Sequence, residues 1–172
     1  MSEVTLTDCA DWAKVLVRAA PDGSLADRLG VPHGLAARRS GDLAVADDLL
    51  TVGWTPDGWL LLSADEPGAA IVERVESVVD GEFVSVVDVT HGHTVLRLTG
   101  PRAADVLAKL CAIDLAYTAT PNGTAVRTLL AGITATVIRD DAAGEPSYLT
   151  LCDRSYGQYL GDVLADAGTV SR

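Results

Sequence analysis

From about residue 49 onward, the hydrophobic positions of the chain form patterns that predict short strands and helices. Residues 50–54 and 59–63 are apolar runs of strand length, joined by Thr55-Pro56-Asp57-Gly58. Because Pro suits the second position of a type I turn and Gly the fourth, the two runs predict a hairpin. A helix is then predicted from Glu66-Pro67 to Gly81, since its apolar residues recur at helical spacing: Ile71, Val72, Val75, Val78 and Val79.

The later part of the chain repeats this arrangement. In chain order it predicts strands at residues 83–90 and 94–98 around His91-Gly92-His93, a helix from Gly100-Pro101, strands at 125–131, 133–139 and 148–152, and a last helix capped by Asp153 or Ser155 and stopped by Gly168. That last helix carries Tyr156, Tyr159, Leu160, Val163, Leu164 and Ala167 at helical spacing. Two β-β-α units, at residues 50–80 and 133–168, therefore flank a central strand–strand–helix element. This order predicts an α+β domain with pseudo-repeated halves, in which helices pack on an antiparallel sheet.

Residues 1–48 have no comparable pattern, so the sequence divides into an N-terminal segment of unclear structure and a domain at residues 49–172. Residues 19–23 and 30–34 read as turns within that segment. The N-terminus lacks the basic and apolar regions of a signal peptide, and no apolar run is long enough to span a membrane. We therefore expect a cytoplasmic protein.

The composition bears on partners and on the compartment. The formal net charge of -11 would repel nucleic acid, and we expect a soluble acidic surface, or an acidic face that docks a basic partner. Cys9, Cys111 and Cys152 lie far apart in apolar surroundings, which favours buried free thiols in a reducing compartment.

Motifs that carry chemistry are scarce. The chain has no GxGxxG, GxxxxGK[ST] or GxSxG pattern. The pairs Asp47-Asp48 and Asp140-Asp141 are interpreted as solvated loop acids. His91-Gly92-His93 resembles a metal motif, but two ligands do not complete a zinc site, and we predict a polar loop without metal.

Several single residues stand out. Arg97 lies in an otherwise apolar strand, where alternation predicts an outward, solvated side chain; an arginine there can also hold a carboxylate or pair across strands. Arg154 lies at a helix start. Trp54 and Trp59 flank the first hairpin turn, and we expect them to pack in the core or at its rim, or to cover a partner surface.

Three blocks of sequence carry a family resemblance. The blocks are the Trp-Leu hairpin Pro56-Asp57-Gly58-Trp59-Leu60-Leu61-Leu62; the central run from Val86-Val87-Asp88-Val89-Thr90-His91 through Gly100-Pro101 to Asp114-Leu115; and the closing Tyr148-Leu149-Thr150-Leu151 with Arg154-Ser155-Tyr156. Together they resemble the glycine-cleavage T-protein (aminomethyltransferase) superfamily, and within it the gamma subunits of heterotetrameric sarcosine oxidase. The resemblance covers roughly residues 50–168. Leu110 replaces a glycine common in that family.

The resemblance implies a T-protein-like, folate-binding aminomethyltransferase type of fold and a role in sarcosine catabolism. In such complexes sarcosine is demethylated to glycine, while other subunits carry FAD, FMN, NAD and tetrahydrofolate. It implies a non-catalytic gamma subunit that supports assembly with an alpha-type subunit beside beta and delta chains. The alternative is a stand-alone folate-binding, aminomethyltransferase-like protein, with Asp88, His91 and Arg97 as candidate cofactor-binding residues; no catalytic residue is assigned.

Overall fold

Antiparallel pairing of short strands dominates the structure, a computed structural model that describes residues 4–20, 41–46, 49–55, 57–79 and 81–169. These residues form ten strands and three α-helices. In chain order they are β1 Thr5–Asp8, β2 Ala13–Arg18, β3 Gly41–Ala46, β4 Leu49–Thr55, β5 Gly58–Ser63, α1 Gly68–Val78, β6 Ser85–Asp88, β7 His93–Thr99, α2 Ala103–Ala108, β8 Thr124–Leu130, β9 Ile133–Arg139, β10 Ser147–Asp153 and α3 Gly157–Thr169.

The chain divides into two units that are not contiguous in sequence. The first unit comprises Met1–Ala10 and His91–Arg172, and the second comprises Asp11–Thr90. Within the second unit the strand order is β3-β4-β5-β2-β6, and within the first it is β1-β7-β10-β9-β8.

The core of the second unit forms where α1 packs on β2, β5 and β6. Every residue of β5 is buried, and Trp59 packs with Val15, Val17 and Leu61. The helix contributes Ile71 and Val75, four residues apart and both almost fully buried. Trp59 is therefore a core residue, as one of the sequence readings expected.

The core of the first unit forms around α2, α3 and the inner face of its sheet. Its largest fully buried side chains are Tyr148, Leu98, Leu107, Leu115 and Leu130. Leu160 and Leu164 of α3 pack into the same cluster. The Tyr148 hydroxyl donates a 2.6 Å hydrogen bond to the carbonyl of Leu115, which satisfies the polar end of a buried ring.

The predicted elements after residue 49 are confirmed, including both β-β-α units: β4, β5 and α1, and later β9, β10 and α3. Helix boundaries differ. Helix α1 ends at Val78, before Gly81, and α3 continues through Gly168 to Thr169. Asp153 makes no capping hydrogen bond through its side chain.

Two tyrosines that the pattern placed at helical spacing on the last helix do not join its buried residues. Tyr156 lies in a 3-10 turn before α3, and both Tyr156 and Tyr159 are exposed. The helix begins at Gly157, and its buried residues are Gly157 together with Leu160, Leu164 and Ala167, three residues that the pattern did predict at helical spacing.

Residues 1–48, for which no clear structure was predicted, contain β1, β2 and β3. Residues 21–23 of the turn predicted at 19–23, the loop predicted at 30–34 and the pair Asp47-Asp48 lie outside the described residues. No helix in the described part of the chain is long and apolar enough to cross a membrane.

Candidate functional site

Asp88 lies where β6 ends and holds two neighbouring segments of the second unit. Its Oδ1 accepts a 2.9 Å hydrogen bond from the backbone N–H of Thr90. Its carboxylate also lies against Gly68, the first residue of α1, where an added Cβ would approach the Asp88 Cγ to 2.6 Å. A carboxylate at this end of a helix is favoured by the helix dipole, and the close approach requires glycine at position 68.

Lys14 of β2 also binds this part of the chain, which we call the Asp88 junction. Unusually for a lysine, its side chain is completely buried. Its ammonium group donates to the carbonyls of Trp12 at 2.7 Å and Thr90 at 3.2 Å. Its backbone N–H donates to the Thr90 Oγ1 at 3.0 Å, and its carbonyl accepts from the N–H of Val89. Lysine is rarely buried unless its donors are satisfied, and here backbone carbonyls accept hydrogen bonds from the ammonium group.

The Asp88-x-Thr90 motif therefore joins β6, β2 and the start of α1. Sequence reasoning missed Lys14, although a signal was present: it is a lysine within the apolar run Ala13-Lys14-Val15-Leu16-Val17. The carboxylate of Asp88, the hydroxyl of Thr90 and the ammonium group of Lys14 all form hydrogen bonds that connect backbone segments. These bonds give the motif a structural role.

His91 and His93 do not share one strand face. His91 is exposed within the 3-10 turn Thr90–Gly92, whereas His93 begins β7 and places its Nε2 3.8 Å from the Asp153 Oδ1. Across the described ranges, no group of three His, Cys, Asp or Glu side chains is arranged to hold a metal ion. His33 lies outside those ranges.

Arg97 differs from the prediction of a solvated side chain. The Arg97 side chain is only 15% exposed, and its guanidinium group contacts the Asp140 carboxylate at 2.6 Å. It also donates to the Asp140 carbonyl at 3.1 Å and to the Ser147 hydroxyl at 2.9 Å. The prediction was wrong because the β9–β10 connection brings Asp140 over this part of β7; the alternative, that Arg97 holds a carboxylate, is what the structure shows.

Arg139 and Asp141 form a second pair in the same unit. Two nitrogens of Arg139 donate to the two carboxylate oxygens of Asp141, at 3.0 and 2.9 Å. A third nitrogen donates to the carbonyls of Tyr117 and Thr120, at 3.0 and 2.6 Å. Donating these hydrogen bonds to the Asp141 carboxylate raises the pKa of Arg139 above its ordinary value.

Asp140 and Asp141 are therefore not solvated loop acids, and that interpretation was wrong. Their side chains are 23% and 24% exposed, and each is paired with an arginine. The pairs connect the β9–β10 hairpin to β7 and to the segment before β8. The two ion pairs hold the loops in place, and each charged group in them is neutralised by a group of the same chain.

A cleft beside α3 is the candidate small-molecule site of the first unit. It has a volume of ≈ 410 Å³, within the size range of ligand pockets. Arg154 and Asp8 supply opposite charges at its walls, and Leu6 and Leu96 supply apolar surface. Gly157 allows the start of α3 to pack against Thr94, since an added Cβ would meet the Thr94 Cβ at 3.0 Å.

Arg154 and Asp8 are the charged residues among those that line this cleft. The described residues that line it include one guanidinium and one carboxylate, but no histidine or cysteine. Asp8 Oδ1 already accepts the N–H of Ala10 at 2.8 Å, and the Gln158 amide donates to Asp162 at 2.9 Å. Arg154 is exposed and lines the cleft, so the sequence indicated a residue of this cleft without indicating the cleft itself.

The three candidate cofactor residues have separate environments. Asp88 belongs to the second unit and serves the junction with Thr90, while Arg97 of the first unit is engaged by Asp140 and Ser147. His91 is exposed in its turn. Neither Asp88 nor His91 lines the cleft described above. Asp88 and Arg97 are thus already bonded to groups of the chain itself.

The fold and its comparisons define the class of protein. The family model of the GCVT N-terminal domain matches residues 35–171. The crystal structure of the glycine cleavage system aminomethyltransferase T from Bartonella henselae shares the fold, with a TM-score of 0.71 and 17% identity over 95% of this chain and 45% of that chain. The chain is thus an α+β protein of the GCVT N-terminal type, as the resemblance implied.

More similar relatives specify the family. The sarcosine oxidase subunit gamma of Arthrobacter sp is 32% identical over 96% of this chain and 80% of the relative. That of Corynebacterium sp. (strain U-96) is 30% identical over 95% and 78%. The heterotetrameric sarcosine oxidase from Corynebacterium sp. U-96 contains a chain that matches with a TM-score of 0.83 and 28% identity, over 100% of this chain and 89% of that one. The chain belongs to the sarcosine oxidase gamma subunit family.

Proposed function

We propose that this chain is the gamma subunit of a heterotetrameric sarcosine oxidase-type complex. The observation that carries the proposal is the similarity over whole chains: the fold matches 100% of this chain and 89% of a chain in a heterotetrameric sarcosine oxidase. Similarity over nearly the whole of both chains supports the same place in an assembly. Similarity to a single domain of a longer protein would support it less strongly.

Within the complex, we propose that the chain supports assembly with an alpha-type subunit and performs no chemistry of its own. Its charged groups argue for this role. Asp140 and Asp141 neutralise Arg97 and Arg139, and Asp88 and Lys14 hold backbone segments together. These groups stabilise the fold, and the oxidation of sarcosine would then depend on FAD, FMN, NAD and tetrahydrofolate held by the alpha, beta and delta chains.

The buried thiols support the proposal that the complex works in the cytoplasm. Cys9 and Cys152 are buried as free thiols, as the sequence predicted, and Cys111 is a free, half-buried thiol. Because free cysteines persist where the surroundings are reducing, this state fits a cytoplasmic protein.

Co-expression tests the proposal. The tagged chain is produced together with the sarcosine oxidase alpha-, beta- and delta-type subunits encoded in the same genome, and the complex is isolated through the tag. We expect a stoichiometric complex with sarcosine-dependent oxygen consumption, and an alpha-type subunit that is less soluble when this chain is omitted. Elution of the chain as a lone monomer in the presence of all three would contradict the proposal.

Calorimetry with tetrahydrofolate distinguishes the alternative of a stand-alone folate-binding protein. Since Asp88 and Arg97 are engaged within the protein, we expect no binding heat from the isolated chain at high micromolar ligand. Saturable binding that Asp88→Asn or His91→Ala weakens would favour the alternative instead.

A further inference from the structure

Arg154 differs from the other cations of the described chain in having no partner for its charge. Every other described lysine and arginine takes part in a hydrogen bond, an ion pair or another contact within the chain. The Arg154 side chain is exposed and, among the described residues, forms no such contact. The chain has 24 acidic residues for 13 basic ones, so carboxylates are not scarce. The Arg154 guanidinium group is therefore open to a ligand.

Asp8 supplies the opposite charge on the same cleft. Both residues line the cleft of ≈ 410 Å³ beside α3, and all the residues that line it belong to the first unit. The Asp8 carboxylate accepts the N–H of Ala10 at 2.8 Å, and within the described ranges it forms no ion pair. Arg154 and Asp8 thus present two charges of opposite sign to one cavity without neutralising each other.

Apolar side chains and open space complete the cleft. Leu6 and Leu96 lie on the paired strands β1 and β7, and Gly161 of α3 also lines the cavity. A Cβ added at Gly161 would meet the Leu96 Cδ1 at 3.8 Å, which is ordinary van der Waals contact, so this wall leaves room for a ligand. The volume lies toward the lower end of the range for ligand pockets and suits a small molecule.

We propose that this cleft binds a small amino-acid zwitterion, whose carboxylate pairs with Arg154 and whose ammonium group pairs with Asp8. A guanidinium group can donate two parallel hydrogen bonds to a carboxylate, and an ammonium group donates to a carboxylate in turn. A ligand with a single charge would leave one charged group of the cleft unmatched, whereas a zwitterion matches both. Leu6 and Leu96 contact the aliphatic part of the ligand. The inference is independent of the proposed function, since the cleft lies within this chain.

NMR titration of the full, isotope-labelled chain tests the proposal with two isomeric probes. L-Valine carries its ammonium and carboxylate groups on one carbon atom, whereas 5-aminopentanoate separates them by four methylene groups. Isovalerate lacks the ammonium group of valine, and isobutylamine lacks the carboxylate. We expect saturable shifts at the amides of Ala10, Gly157 and Gly161 with at least one zwitterion, and binding of the singly charged analogues that is weaker by about 10-fold or more. The isomer that binds more tightly gives the separation of the two charges in the cleft.

Variants connect the binding to the two charged residues. Arg154→Gln and Asp8→Asn each remove one charge, and each should weaken binding of the zwitterion about 10-fold or more. Gly161→Leu fills the cleft from α3 and should abolish binding without changing a charge. Arg102→Gln is the matched control, because Arg102 is a partly exposed arginine of the same unit that pairs with Asp105 and does not line the cleft. Its loss should leave the affinity unchanged.

Thermal melting checks that the variants are folded. Arg154 and Asp8 are exposed, so we expect both charge variants to remain folded, and they decide the question even if Gly161→Leu does not fold. Three results would each overturn the inference: no shift of the cleft amides with either isomer at high millimolar concentration, equal binding of isovalerate and valine where valine binds, or wild-type affinity in both charge variants. None of these results bears on the proposed function, which is tested by assembly with the partner subunits.

Discussion

Arg97 and Asp140 show how the surroundings of a charged residue decide its contribution to stability. The pair is short, at 2.6 Å, and its side chains are 15% and 23% exposed, so water screens it only partly. Removing one partner of such a pair leaves a poorly solvated charge behind. By contrast, Arg102 and Asp105 pair at 3.4 Å on the surface, with 35% and 66% exposure.

We predict that Asp140→Asn lowers the free energy of unfolding by about 2 kcal/mol, because Arg97 loses its counter-charge at a partly buried position. Asp105→Asn, the control, should cost less than about 0.5 kcal/mol, as exposed ion pairs usually do. Urea unfolding of the three proteins at neutral pH measures both effects. Equal losses in the two variants would show that burial does not govern the Arg97 pair.

The sequence could not predict this environment. Alternation along β7 gives the face on which Arg97 lies, but it does not show what covers that face. Asp140 is 43 positions away and reaches Arg97 only because β10 lies between β7 and β9 in the sheet. Lys14 is similar, since the carbonyl of Thr90 that it contacts is 76 positions distant. Periodicity is a local signal, and these contacts are set by strand order.

At the scale of elements, two hairpin turns share an unusual residue pair. Ala131-Gly132 joins β8 to β9, and Ala143-Gly144 lies in the β9–β10 connection. All four residues have positive φ: 52° and 82° in each turn. Two successive left-handed residues fit a type I′ turn, in which Asn-Gly is the preferred sequence. Alanine at the first position therefore adopts a conformation that L-residues disfavour.

We predict that Ala143→Asn raises the free energy of unfolding by about 0.5–1 kcal/mol, because asparagine tolerates the left-handed region better than alanine. Gly144→Ala should have the opposite effect, a loss of about 1 kcal/mol or more, since its φ is +82°. Apart from the adjacent residues, no heavy atom lies within 4 Å of a Cβ placed at Gly144, so the loss would come from backbone conformation alone. Urea unfolding compares the variants; a stable Gly144→Ala protein would contradict the assignment of the turn.

The elements themselves were predictable where their signals are local. The hairpin at Pro56-Asp57, the apolar stripe of α1 and the turn at Gly132 each depend on a few adjacent residues, and β4, β5, α1, β8 and β9 were predicted within a few positions. Strands β1 and β2 were not predicted. β2 pairs with β5 and β6, both more than 40 residues later, and it contains the buried Lys14 that breaks its apolar run.

At the scale of the whole molecule, one of the two units combines segments that are distant in sequence, which patterns along the chain do not predict. Residues before Asp11 belong with those after Thr90, so the first unit is completed by the N-terminal strand β1, which pairs with β7. The sequence placed a boundary near residue 48, and that boundary stays a prediction. The family resemblance predicted more of the fold than the hydrophobic patterns did, because members of one family share one strand order.

Thiol and phenol groups buried in the first unit are expected to govern the stability of the protein in alkaline solution. Burial raises the pKa of the Cys152 thiol from 9.0 to about 11, with a further increase from Asp153. Burial also raises the pKa of Tyr148 from 10.0 to about 12, which the nearby Arg139 partly opposes. The pKa of Cys9 is raised as well, chiefly by burial and against the effect of Arg97.

The sign of the effect on stability follows from proton binding. Between pH 9 and 11 the unfolded Cys152 thiol loses its proton while the folded thiol retains it, so the unfolded state binds fewer protons. Stability from this group is complete below pH 9 and is lost as the pH rises through about 11. Tyr148 behaves in the same way between pH 10 and about 12. Each group contributes a slope of at most about 1.4 kcal/mol per pH unit.

We therefore predict that the free energy of unfolding falls steadily above pH 9, and that Cys152→Ala removes part of this fall between pH 9 and 11 while Tyr148→Phe removes part of it between pH 10 and 12. Both variants should be less stable than the wild type at neutral pH, because one loses packing and the other loses the hydrogen bond to Leu115. Their curves should run parallel to the wild-type curve below pH 8.5 and converge with it in these alkaline windows. Urea unfolding at half-unit pH intervals gives the curves. Parallel curves throughout would mean that these buried acids do not limit alkaline stability.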